Sequence, residues 1–78
     1  MNTASHFETL TTRRVQIQER TKRFVSDLRR LVLLLDADIS SEEERTGIYD
    51  IKKPGYPELA RKLRSRRDNL LATIARLE

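Results

Sequence analysis

Few of the residues able to do chemistry stand in a pattern that would use them. His6 is the one histidine and there is no cysteine, whereas structural zinc sites draw on several ligands of these two types. Asp36, Asp38 and Glu42 suit a hard divalent cation by chemistry. Acids along one straight helix cannot surround an ion, however, and no glycine-containing calcium loop follows them. Serines and threonines without a paired base remain capping and surface residues. Two glycines are too few for a phosphate-cradling loop. No metal, no cofactor and no enzymatic activity are expected.

Basic residues are more prominent, and the net charge is +4. The run Arg61-Lys62-Leu63-Arg64-Ser65-Arg66-Arg67 could grip phosphate with a salt-sensitive affinity. On a helix its bases project in widely different directions and make no single stripe. Lys22, Arg23, Arg29 and Arg30 recur at seven-residue spacing away from the apolar seam of the first helix. They are the better nucleic-acid candidates, although Glu19 and Asp27 lie within one turn of Arg23 and can pair with it. Arg13 and Arg20 flank the seam, where their stems can cover apolar surface.

These side chains need elements to hold them. Charged residues make up 36% of the chain and hydrophobic residues 37%, with two Gly and two Pro, a mixture typical of long helices and coiled-coil-like bundles. Phe7, Leu10, Ile17, Phe24, Leu28, Leu31 and Leu35 follow a 3-4 spacing interrupted by Arg14 and Thr21, which predicts a helix with one buried seam. Val25, Val32 and Ile39 lie one step round and widen it. A capping box at Ser40–Glu43 or Ser41–Glu44 could restart the helix there. A continuous helix to Gly47, a suitable C′ residue, is preferred because Glu is a good helix former.

Pro54-Gly55 marks a turn, and Ile48, Tyr49, Ile51 and Tyr56 are apolar enough to pack over the hairpin end. Pro57 suits the first turn of a second helix and Glu58 its positive end. Leu59, Leu63, Leu70, Ile74 and Leu77 share one arc of that helix, with Ala60 and Leu71 at its edge. The fold class is therefore all-α: one antiparallel helical hairpin over 1–78, with a long helix over about 5–46, a loop over about 47–56 and a shorter helix over about 57–77. The sequence permits disorder over 1–5.

Helix lengths of roughly 60 and 30 Å follow from ~1.5 Å per residue. Leu77 should then lie opposite Val25 or Ser26, leaving the start of the long helix uncovered. Homodimerisation into a four-helix bundle would cover it, with Phe7, Leu10, Ile17, Phe24, Leu28 and Leu31 as the self-association set. The hairpin also sets Asp36, Asp38, Glu42, Glu43 and Glu44 beside the basic run. Asp38 and Arg67 are expected to meet as a partly buried register pair whose disruption costs several kcal/mol.

The leading expectation is a small cytoplasmic protein-protein interaction or adaptor module that self-associates. The alternatives are a nucleic-acid-binding basic bundle and a peripheral membrane-surface helix. The longest apolar run, Leu31 to Leu35, is far short of the ~20 residues needed to span a bilayer. No basic-then-apolar leader opens the chain.

Overall fold

A computed structural model of the protein describes residues 3–78, with side chains from residue 13 onward. It contains two helices, α1 over Thr3–Thr46 and α2 over Glu58–Leu77, which pack against each other as an antiparallel hairpin. The hairpin is a rod, with a longest dimension of 72 Å. Phe7 and Leu10 fall outside the described side chains.

α1 runs unbroken through Ser40-Ser41. No Gly or Pro occurs before Gly47, so nothing forces an earlier stop. Gly47 ends the helix at φ +70°, and its N–H donates to the Glu43 carbonyl at 2.8 Å, the left-handed C′ arrangement that glycine adopts without a Cβ penalty. Thr46 supports the same end: its hydroxyl reaches the carbonyls of Glu42 and Glu43, both at 3.2 Å.

The connection is ordered by backbone turns. Tyr56 N–H donates to the Lys53 carbonyl across Pro54-Gly55 at 3.2 Å. Gly55 has φ +86°, the positive value that a Pro-Gly type II turn requires at its third residue. Pro57 stands just outside α2, in extended conformation at the N-cap, one residue earlier in role than the sequence suggests. With its ring fixed near this φ, it delivers the chain into the helix.

The core is narrow. Val25, Leu28 and Val32 of α1 pack with Ile74 of α2, with Leu70 partly buried beside them. Ile39, Tyr56 and Ala60 continue it toward the loop. This changes the expected seam. Val25, Val32 and Ile39, placed by sequence one step round, face α2, whereas Ile17, Phe24 and Leu31 are exposed. α1 carries two adjacent apolar stripes, and α2 covers the one built on Val25, Leu28, Val32 and Ile39. On α2, Ala60 and Ile74 are the buried residues, while Leu59 and Leu77 are exposed.

Toward the start of α1, the positions that continue the α2-facing stripe are Thr21, Gln18 and Arg14. They offer α2 little apolar surface. α2 reaches its end there, with Leu77 and Glu78 bordering a cleft of about 700 Å³ together with Ile17, Gln18, Thr21, Lys22 and Val25. That position matches the height expected for Leu77.

Candidate functional site

At ~100° per residue, the two flanks of the hairpin separate by chemistry. One flank is a charged ladder. Arg64 Nη2 donates to Glu43 Oε2 at 2.8 Å, Arg67 Nη1 to Asp36 Oδ1 at 3.0 Å, and Arg29 pairs with Glu78 at the open end. Each rung joins the two helices.

The rung nearest the loop is the most elaborate. Tyr56 Oη donates to Glu43 Oε2 at 2.9 Å and accepts from Arg64 Nε at 2.6 Å. The Arg61 and Arg64 guanidiniums lie 5.6 and 5.7 Å from the Tyr56 ring centroid, within cation–π range. Arg61 also donates to the Ile51 carbonyl at 3.0 Å, binding the loop to α2. Glu43 is buried, and its hydrogen bonds favour the charged form against the burial that opposes it. Hydrogen bonds from Arg64 first and Tyr56 second hold its carboxyl below the ordinary carboxylate range. This is a structural clasp, and among the described residues no buried side-chain polar atom is left without a partner.

The ladder corrects the register pair. Arg67 pairs with Asp36 and with its neighbour Asp68, not with Asp38. Asp36 shares the ladder flank with Glu43, whereas Asp38 lies on the opposite flank, where it borders a shallow depression with Ser41, Glu42, Leu59 and Leu63. The pair is also wetter than expected, since the Asp36 side chain is 46% exposed. Of the five acids and five bases brought to similar height, only Glu43–Arg64 and Asp36–Arg67 bridge the helices among the described residues.

The opposite flank is apolar. Ile17, Phe24 and Leu31, seven residues apart, are 62%, 52% and 46% exposed. Beside them α2 contributes Leu59, Leu63, Leu70 and Leu77, while Leu34 lies on the side of α1 turned away from α2. The heptad spacing keeps both rows on one side along their length. Leu33 and Leu71 are exposed on the ladder side, as scattered single leucines commonly are. Of the expected self-association set, Ile17, Phe24 and Leu31 are open, but Leu28 is consumed by the hairpin's own core.

Compared with protein-family models, with curated proteins and with solved structures, the chain matches none. Its own geometry therefore carries the functional reading.

Lys22, Arg23, Arg29 and Arg30 are all exposed, spread over about a third of a turn of α1. Lys22 and Arg29 lie on the ladder side, where Arg29 is engaged by Glu78, while Arg23 and Arg30 lie about a third of a turn away. Among the described residues, no group of three or more His, Cys, Asp or Glu is arranged to hold a metal ion. No helix there is long and apolar enough to cross a membrane.

Sequence reasoning missed the Glu43–Tyr56–Arg64 clasp. Its available signal was a tyrosine immediately before the proline that opens α2, beside a helix rich in acids and another rich in arginines.

Proposed function

We propose that the protein is a small cytoplasmic interaction module that self-associates through its apolar flank, two hairpins forming a four-helix bundle. The observation that carries this reading is the continuous row Ile17, Phe24, Leu31 beside Leu59 and Leu77, large apolar side chains left half in water. The overhanging part of α1 supports it. Its α2-facing stripe turns polar at Thr21, Gln18 and Arg14, while Ile17 continues the flanking row.

The magnitudes favour a surface made of both helices. Covering the remaining half of a large apolar side chain gains roughly 1 kcal/mol. Three such residues per copy give roughly 6 kcal/mol in a dimer, low in the range of ~4–15 kcal/mol lost on association. Adding Leu59 and Leu77 raises the gain to roughly 10 kcal/mol, and Leu63 and Leu70 add what they still expose. Self-association is then concentration-dependent and needs the α2 leucines.

A nucleic-acid reading lacks a continuous basic stripe, and a membrane-surface reading must place Asp27 and Asp38 against lipid headgroups. Sedimentation equilibrium over a wide concentration range tests the self-association reading. A rise from one to two chain masses is expected, and a mass of one chain throughout would remove it.

A further inference from the structure

The apolar flank of α1 is edged by charges that change sign along its length. Arg13 and Arg20 lie on this side of the overhanging half, and Asp27 and Asp38 on the same side of the half nearer the loop. All four are exposed, and among the described residues none has an ion-pair partner. On α2, Arg66 stands near the height of Asp38 and offsets part of its charge. Arg20 and Asp27, on either side of Phe24, are therefore the discriminating pair.

We propose that the occupant of this face is a second copy of the chain running antiparallel, with Phe24 meeting Phe24 at the two-fold axis and Arg20 of each copy pairing with Asp27 of the other. This inference rests on the self-association reading and specifies its geometry. Centring on Phe24 sets Ile17 opposite Leu31 of the second copy and Arg20 within one residue rise, ~1.5 Å, of Asp27. The overhang of each copy then lies over the two-helix part of the other, three of the four helices meeting at each height, so both uncovered ends close together, as an isologous contact requires. A parallel two-fold pair instead carries the Arg20–Asp27 edges of the two copies to opposite faces of the seam, where Arg20 of one cannot reach Asp27 of the other. The charge complementarity of this edge is therefore used only by the antiparallel arrangement.

Charge exchange tests the register separately from association. Arg20→Asp sets two carboxylates against each other twice in the symmetric dimer, and is expected to weaken dimerisation by about tenfold to a hundredfold. Adding Asp27→Arg should restore it to within about threefold of the parent. In a parallel pair Arg20 of one copy does not meet Asp27 of the other, so little loss and no rescue would result.

Cross-linking supplies a second readout in a chain that has no cysteine of its own. Chains carrying Arg20→Cys, mixed with chains carrying Asp27→Cys, should form the mixed disulfide in preference to either homodisulfide. Circular dichroism confirms that each variant keeps its helix. If the parent is monomeric at every concentration, self-association and register both fall. If a dimer forms but Arg20→Asp leaves it unweakened, or the homodisulfides dominate, the antiparallel register falls and self-association stands.

Discussion

Phe24→Ala separates a lone hairpin from an associated one, because the same truncation reads differently in the two cases. Phe24 is 52% exposed, so an associated state has about half a phenylalanine still to cover, worth about 0.75–1.5 kcal/mol. Two-fold symmetry removes it twice, for about 1.5–3 kcal/mol per dimer. The dissociation constant should rise about 10- to 150-fold. The assay is urea unfolding followed by far-UV circular dichroism, at chain concentrations from about 2 to about 200 µM. For a dimer that unfolds to two chains, each tenfold increase in concentration adds ~1.4 kcal/mol to apparent stability. With a slope of ~2 kcal/mol per molar urea, the parent midpoint should rise by roughly 0.7 M per decade. Phe24→Ala should flatten that dependence over the lower concentrations and leave a smaller, concentration-independent loss from the half it already buries. Parent midpoints that do not move with concentration would refute the reasoning.

The hairpin itself offers further tests. Glu43 is held below its ordinary value of 4.5 by hydrogen bonds from Arg64 and then Tyr56. An unfolded chain therefore takes up this proton first as the pH falls, so the clasp's contribution is complete above about pH 4.5 and is lost through the folded value below it. Urea midpoints between about pH 5 and about pH 3 should consequently fall less steeply for Glu43→Gln than for the parent; equal slopes would show that the clasp does not bind the proton differentially. Arg67→Leu should change stability by less than about 1 kcal/mol, because Asp36 keeps nearly half its side chain in water and is not stranded; a loss above about 3 kcal/mol would mean the pair is dry. Gly47→Ala should cost about 1 kcal/mol for its positive φ alone, since nothing lies within 4 Å of the added Cβ. Gly55→Ala should cost more, as its Cβ would meet Ile48 Cδ1 at 3.2 Å; thermal melts that rank the two the other way would contradict this.

The hairpin, the continuity of α1, its stop at Gly47 and the height of Leu77 were legible because local rules decide them. Absence of Gly and Pro sustains a helix, a glycine ends it, and residue rise fixes length. The choice between two neighbouring stripes was not local. Ile17, Phe24 and Leu31 match a seam as well by period as Val25, Val32 and Ile39 do. Which stripe α2 takes depends on its packing against α1, not on the period of either stripe. That single rotation also moved the acid: with the larger residues assigned inward, Asp38 reads as a seam position and Asp36 as surface, whereas Arg67 meets Asp36. Tyr56 could be expected to pack, but its hydroxyl's partners depend on a turn geometry that no spacing rule specifies.

The rungs of the ladder close loops of very different size. Tyr56 and Glu43 are 13 residues apart, Arg64 and Glu43 are 21, and Arg67 and Asp36 are 31. Bringing the last pair together from an open chain costs roughly 0.8 kcal/mol more than the first. Once the clasp has formed, each later rung extends a zipper instead of closing a fresh loop. Folding should therefore start at the bend and run toward the free ends, and amide protection should decline in the same direction. The ends of α1 and α2 that close last are the ones nearest the proposed contact with a second copy.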